Sequence, residues 1–437
     1  MEGITLSEKI AVIGGGISGL SAAWHLSKYK KVTLYEKNSY FGGHAHTVTL
    51  KDPNKLNVSL DVGFMVFNEA NYPNLIKFFD LLGVNKHQSN MSFSMSDEIL
   101  NYEYSGSGLS GYFGQRSNLI SKQHWQQLFA IIKFYSNAKK SIKRYAKSTS
   151  LKDFLMYENY PTFFIHNHII PMCSAIWSCD PENMLEYPAH DFVNFFINHG
   201  LFKLSNRPVW SSVDGGSKKY VEAIIKSSVF QKKIKSDIKK IEKVGNNFRI
   251  TNDDDESLEF DKIVLANQAH ESKKLIESCD KQLAKLLDSF KYQQNIGYLH
   301  SDPSQMPRNV KLWSSWNYTR KIKTNSMKLS MTYWLNSIQR LNTETNFFLT
   351  LNPEKKISDR EMHKEIIFTH PIFNLNNKEI KKQILARQGQ NNIWVCGSFL
   401  GYGFHEDGIQ SGLLVAENIT KKNRPWTIEK SWNRIAV

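Results

Sequence analysis

The chain has 437 residues, 41% of them hydrophobic and 22% charged, with 56 Lys and Arg against 41 Asp and Glu, for a net charge of +15. That balance is ordinary for a globular protein, the length favours two domains, and no apolar run is long enough to span a bilayer. The positive charge leaves two readings open, a compositional bias or an anionic membrane surface; nucleic acid is not expected, because no nucleic-acid module appears and the aromatics are not interleaved with the basic runs.

Cys173, Cys179, Cys279 and Cys396 show no C-x-x-C and no zinc spacing, which suits free thiols in a reducing compartment and predicts no metal site. The first strand pattern begins by Lys9, leaving no room for a signal peptide, so the expected location is cytoplasmic, with peripheral attachment to the inner face of the membrane left open.

In chain order, Ile10–Ile13 is a short apolar run suited to a buried parallel strand. Gly14, Gly16 and Gly19 follow in G-x-G-x-x-G spacing, then a helical pattern from Ser18 to Ser27 and a second apolar run, Val32–Tyr35, closing on Glu36. The first glycine permits the tight turn, the second lets backbone approach a pyrophosphate, and the third lets helix and strand pack closely. The helix N-terminus offers unpaired N–H groups to phosphate, and Glu36 can accept from ribose hydroxyls. The acid argues for FAD or NAD rather than NADP.

Gly42-Gly43-His44-Ala45-His46-Thr47 then forms a turn in which His44 or Thr47 could bond a phosphate. The order strand, G-x-G-x-x-G, helix, strand, Glu, double-glycine turn resembles the flavin amine oxidase and phytoene desaturase superfamily of FAD-dependent oxidoreductases. Members usually carry arginine where this chain has His44. GGHAHTV with DVGFMVFNEANYPNL (Asp61–Leu75) is more closely similar to bacterial proteins described as predicted NAD/FAD-binding and encoded beside cyclopropane-fatty-acid-synthase-like methyltransferases. Taken alone, residues 60–82 read as a strand plus a helix with no ligand.

Residues 103–116 are rich in Gly and Ser, which suits a lid or an inert connection. Gln123–Lys147 reads as one long helix, with Leu128, Ile131, Ile132, Tyr135, Ala138, Ile142 and Tyr145 on one face and lysines crowding its C-terminal half. It suits a core helix or a membrane-surface helix. The aromatic, His-rich stretch Phe163–Asp191 is expected to line or support a hydrophobic cavity, as is Phe195–Leu201.

A nucleotide-binding pattern returns at Asp214-Gly215-Gly216-Ser217, followed by a helix from Lys218, a strand Ile234–Ile241, and a β-rich unit closing at Ala266 and Asn267. The resemblance implies that Ile238 meets the adenine edge and that Ala266 lies near the pyrophosphate. Leu312–Tyr318 and Ser330–Asn336 alternate like strands. Trp316 with Tyr318, or Tyr333 with Leu335, would make an aromatic wall, with Asn317 and Asn336 as polar fixings.

The tail has a buried strand, Asn392–Gly397, a loop, and a helix opening at His405. It resembles the superfamily's C-terminal signature, with Ser398 where many members have glutamate. The resemblance places Gly397 and Ser398 at the pyrophosphate and ribityl chain, and Gly408 and Ile409 at the pyrimidine end of the flavin. Asp407 suits a helix N-cap, and His405 with Glu406 is the best titratable pair beside the flavin. No cysteine falls in residues 397–412, so FAD is expected to be noncovalent.

The expected fold is α/β with an α+β substrate part: a discontinuous Rossmann-like FAD domain (1–70, 208–284, 389–437) carrying an inserted substrate domain (71–207, 285–388), in the two-domain arrangement of amine oxidases. Cofactor contacts are expected from Gly14, Gly16, Ile17, Ser18, Gly19, Glu36, Lys37, Gly42, Gly43, His44, Thr47, Gly63, Phe64, Ile238, Ala266, Gly397, Ser398, Asp407, Gly408 and Ile409. The catalytic candidates are His405, Glu406, Tyr318 and Trp316. The expected reaction removes hydride from a C–H bond of a methylated or unsaturated fatty-acyl phospholipid. An anionic membrane and a lipid methyltransferase are the partners this suggests. Alternatives are an amine oxidase, a non-redox flavin isomerase and a non-enzymatic flavin-binding partner of a methyltransferase. The oligomeric state stays open.

Overall fold

Alternation along one short strand sets the layout. Ile10 and Val12 face one hydrophobic core, while Ala11 and Ile13 face another, because successive strand side chains point to opposite faces. A strand apolar on both faces must lie mid-sheet under two layers. The computed structural model, which describes residues 8–203, 207–321, 330–374, 377–429 and 432–435, places it there. Lys9–Ile13 is the central strand of a five-stranded parallel sheet, in the order Gln231–Ile234, Lys31–Glu36, Lys9–Ile13, Lys262–Leu265, Ile393–Val395. Three stretches far apart in sequence therefore make one sheet.

The first helix (Ile17–Leu26) and the C-terminal helix (His405–Thr420) pack side by side on the Ile10 face. Their approach needs glycine: a Cβ on Gly412 would lie 2.1 Å from the Ser18 carbonyl oxygen, and one on Gly408 would lie 2.7 Å from Ile17 Cγ2.

The second body is a seven-stranded mixed sheet, ordered Met362–Ile372, Lys291–His300, Phe348–Leu351, Met331–Trp334, Trp316–Arg320, Phe93–Asp97, Tyr102–Ser105. A helical layer built from Lys122–Ser141, Leu151–Tyr157, Ile170–Trp177 and Ala189–Asn198 covers it around Phe134, Phe154, Phe164, Phe192 and Phe196. Asp61 ends the strand Asn57–Asp61 of a separate two-stranded sheet, takes the Ser217 N–H at the head of the helix Lys218–Lys226, and is tied to Gln339 by a reciprocal pair: Asp61 N–H donates to Gln339 Oε1, and Gln339 Nε2 donates to the Asp61 carbonyl, both at 2.9 Å.

Four local expectations change. Residues 103–116 are no open loop: Tyr102–Ser105 is a buried edge strand, followed by a short helix, Gly108–Tyr112. The long helix stops at Ser141 and tightens to a 3₁₀ turn over Ile142–Arg144; Ile132, assigned to its apolar face, is exposed. The strand expected over 234–241 is two strands broken at Lys235, whose φ is +51°. Leu335 opens a short helix instead of extending the Tyr333 strand.

Candidate active site

A single cavity of about 710 Å³ runs between the two sheets, and its two ends differ in chemistry. At one end the wall is the fingerprint. Gly14 has φ +109°, and a Cβ there would sit 2.8 Å from backbone of Ala266 and Asn267. Gly19 is fixed by its neighbour: a Cβ would lie 1.8 Å from the Gly14 carbonyl oxygen. At Gly16 an added Cβ meets no protein atom within 4 Å. Gly16 also starts the first helix with no side-chain cap, so the first-turn N–H groups face free space, an anion site by geometry and dipole.

Glu36 closes the second strand with its carboxylate at this end. Its Oε2 accepts from Gly15 N–H at 2.8 Å and its Oε1 from Asn38 N–H at 2.8 Å. Gly42 and Gly43 have φ of +125° and +59° and bring the turn against Gly16, with a β-bridge between Gly16 and Gly42. His44, Gly63, Ile238, Ala266, Gly397 and Ser398 complete this wall. Lys37, also in the wall, is ion-paired with Glu271.

The other end is aromatic. Trp316 and Tyr333 are register partners on adjacent antiparallel strands, with rings 5.2 Å apart edge to face. Trp177, Phe195 and Phe404 pack on one another in series, at 4.7 and 5.0 Å between ring centres, and with Trp210 line the same cavity. His405 opens the C-terminal helix, stacks on Phe64 at 3.8 Å between ring centres, and meets the Tyr220 hydroxyl through Nε2 at 2.5 Å. Burial pushes its imidazole down to about 3, so the ring is neutral at pH 7.

His370 has its tautomer set by a chain of amides. Asn295 Nδ2 donates to the Ser178 carbonyl and to His370 Nδ1, each at 2.8 Å. Asn295 Oδ1 accepts from Asn352 at 2.7 Å and from Gln293 at 3.1 Å, which fixes the amide's orientation. A neutral His370 therefore carries its proton on Nε2, and burial pushes its pKa down to about 3. Its ring centre lies 5.5 Å from that of His44, whose pKa burial also lowers.

The charged side chains in the wall are Glu36, Lys37, Asp237, Lys239, Glu271 and Lys274, all at the fingerprint end. Among the described residues the aromatic end has none.

A family model for flavin containing amine oxidoreductases matches residues 17–305, well over half the chain. The chain belongs to that family. Solved structures of the same fold include a protein from Exiguobacterium sp. 255-15 provisionally named protoporphyrinogen oxidase, with TM-score 0.70 and 12% identity over 95% of this chain and 99% of that one. A putrescine oxidase bound to putrescine superposes with TM-score 0.67 and 12% identity over 95% and 99%. A fatty acid isomerase from P. acnes that makes CLA gives TM-score 0.66 and 13% identity over the same shares. No curated protein sequence matches the chain.

This flavin amine oxidoreductase is thus an FAD-dependent enzyme, and the cradle at the fingerprint end fits the cofactor: free space before Gly16, an uncapped helix start, and a carboxylate at the end of the second strand.

Several residues chosen from sequence fall outside the cavity wall. Glu406 turns away: its carboxylate accepts from Asn74 N–H (3.0 Å), Asn74 Nδ2 (2.7 Å) and Leu75 N–H (3.1 Å), capping the helix Pro73–Leu82. Burial pushes its carboxyl up to about 7 against those bonds and the nearby Arg434. Asp407 lies three residues into its helix rather than at the cap, and its Oδ2 accepts from Tyr402 and Phe404 N–H groups at 3.1 and 2.9 Å. Gly408 and Ile409 serve the contact with the first helix.

Thr47 donates to Asp61 Oδ1 at 2.5 Å, which also accepts from Ser217, so it orders the start of the Lys218–Lys226 helix and has no route to a phosphate. Gly216 belongs to the same knot, its would-be Cβ 2.6 Å from Thr47 Cγ2. Tyr318 is 2% exposed and packs in the core one pleat below Trp316. Asn317 and Asn336 bond protein backbone instead of facing the cavity. His168 is held between the hydroxyls of Tyr104 and Tyr135 at 2.9 and 3.3 Å.

Sequence reasoning passed over Phe368, Thr369 and His370 as wall residues. The His370-Pro371 pair on a strand was visible, but its amide partners come from residues 178, 293, 295 and 352, which no local pattern joins.

Proposed function

We propose that this oxidoreductase desaturates a fatty-acyl chain, carried by a phospholipid and either methylated or already unsaturated. The observation that supports this is the aromatic end of the cavity, which holds no charged side chain among the described residues. A polyamine brings ammonium groups that want carboxylates when desolvated; a hydrocarbon chain wants the apolar wall present here. One of the structures of the same fold is a fatty acid isomerase, which is compatible with an acyl substrate here.

In this reading Gly14, Gly16, Ile17, Ser18, Gly42, Gly43, Gly397 and Ser398 hold the cofactor's phosphates and sugar chain. Glu36 takes the adenosine ribose, and Ile238 meets the adenine edge. Gly19 acts through packing. FAD held there without a covalent link would supply the hydride acceptor for one carbon of the chain, with oxygen, a quinone or an electron carrier as the final oxidant. The neighbouring carbon loses a proton and a C=C bond forms.

The protein's part is to exclude water and hold the chain between Trp316, Tyr333 and Trp177. His370 Nε2–H serves as a fixed donor to an ester carbonyl. Neutral His405 takes the proton on Nδ1, with its Nε2–H donating to the Tyr220 hydroxyl, whereas the Nδ1 lone pair of His370 is already occupied by Asn295. A methyltransferase acting on the same acyl chain would supply a methylated substrate.

The test is anaerobic titration of the holoenzyme with fatty-acyl phospholipids and, separately, with polyamines, following the visible flavin absorbance. Bleaching by the lipid together with a product two mass units lighter on the acyl chain is expected from loss of two hydrogens. Bleaching by polyamines alone would establish an amine oxidase. A shifted double bond with no net bleaching would establish an isomerase.

A further inference from the structure

Between Tyr104 and Lys152 the chain carries nine Lys and Arg and not one Asp or Glu. The structure gathers much of this stretch on one surface. Leu119 and Ile120 lead into the helix Lys122–Ser141, and that helix leaves Trp125, Phe129 and Ile132 exposed along one line, Phe129 by 63% and Ile120 by 90%. Trp125 Nε1 donates to the Leu119 carbonyl at 2.9 Å and its ring lies 6.3 Å from that of Phe129, so these three are held together, and Ile120 and Ile132 extend the exposed apolar run on either side in sequence. Lysines 139, 140 and 143 continue the same exposed face toward the helix end. Glu158, which lies beyond this stretch in sequence, pairs with Arg144 at 2.5 Å.

Single exposed apolar residues are ordinary, but a contiguous patch of large ones is an interaction surface. We propose that this face docks the enzyme on a bilayer containing anionic lipid, with Ile120, Trp125 and Phe129 entering the headgroup boundary and the lysines meeting lipid phosphates. The charge selects this occupant: a symmetric contact with a second copy would place like charges against each other, whereas an anionic surface complements them.

Placement adds a second argument. The buried side of the same helix presents Phe134 and Tyr135, whose rings pack at 5.5 and 5.8 Å on Phe202, and the adjacent Leu201 is part of the cavity wall. The docking helix is thus tied through Phe202 to a segment that lines the chamber.

The experiment is co-sedimentation of the FAD-loaded full chain with vesicles of phosphatidylglycerol and phosphatidylcholine, or of phosphatidylcholine alone. It needs no turnover, so it can fail or succeed independently of the substrate reading. Binding is expected on the anionic vesicles at low salt and should weaken as salt rises. K139Q/K140Q/K143Q should lower the partition coefficient roughly 100-fold, and I120S/F129S should abolish retention. Both variants keep their flavin, since none of these residues lines the cavity. Absence of binding by the unaltered protein overturns the proposal. Equal binding to both vesicle types with no effect of either variant also overturns it. So does a solution dimer that I120S/F129S dissociates, because the face is then a protein interface.

Discussion

The fingerprint end and the aromatic end of the cavity use opposite means. At the first, contacts are made by backbone, and side chains matter mainly by being absent: Gly14 and Gly19 leave no room for a Cβ, and Gly16 leaves room that only a ligand would fill. At the second, bulky side chains from at least six separated stretches build a wall by convergence. A backbone site demands fixed spacing within one local turn. A wall demands only volume and polarity, which many residues on many elements can supply.

Substituting the glycines separates the two meanings of an empty Cβ position. Gly19→Val and Gly14→Val should prevent folding of the parallel sheet, because the new side chain meets backbone at 1.8 and 2.8 Å. Gly16→Val should fold with an unchanged melting temperature, since its Cβ meets no protein atom within 4 Å, yet lose FAD by more than about 100-fold in affinity. Should Gly16→Val bind FAD normally, the phosphate site lies elsewhere.

The same contrast explains what could be read in advance. The fingerprint, the terminal Glu36 and the C-terminal strand with its following helix are local patterns with steric reasons, and they were legible. The pairing of Trp316 with Tyr333 was half legible: each strand shows its alternation, but the partner across the ladder is set by register. Glu406 misled because a buried carboxylate next to a histidine looks catalytic on paper, while its direction is decided by Asn74 and Leu75, more than 300 positions away in sequence. Residues 103–116 misled because small residues suit a tight edge strand as well as a loop.

Acid should act on the fold as a whole rather than on the cavity alone. His124, His168, His199, His300 and His405 are buried, and burial pushes their pKa values down to about 3 or 4. Each folded value lies below the unfolded 6.5, so the stability these groups contribute is complete above pH 6.5 and is lost as pH falls toward 4. One pH unit below 6.5 each costs about 1.4 kcal/mol. Asp61 and Glu406 work the other way: their folded values are raised to about 6 and about 7, so the stability they contribute is present at low pH and fades as pH rises through those values. Five histidines against two carboxylates leave a net loss of several kcal/mol on going from pH 7 to 5.5. Denaturant midpoints across that range measure it; a protein more stable at 5.5 than at 7 would contradict the sign.

Placing a charge at the aromatic end tests whether its neutrality matters. Trp316→Glu should leave FAD binding intact and raise KM for an acyl lipid about 100-fold, because the carboxylate must lose its water without a partner. If the variant instead gains activity on polyamines while acyl turnover is unchanged, the wall does not select substrate.

The smallest expected effect is also the sharpest on roles. Glu406→Gln keeps an acceptor for the Pro73–Leu82 helix but sets an amide N–H group close to Asn74 Nδ2, itself a donor 2.7 Å from the present carboxylate. It should cost about 1 to 2 kcal/mol of stability and leave kcat and its pH profile unchanged. His405→Asn, one residue earlier in the helix, should do the reverse: a modest stability change, but kcat falling about 100-fold with KM nearly constant. Two neighbours on one helix turn then report to different places. Glu406 reports to the floor of the sheet, through the helix it caps. His405 reports to the chamber, through the ring stacked on Phe64.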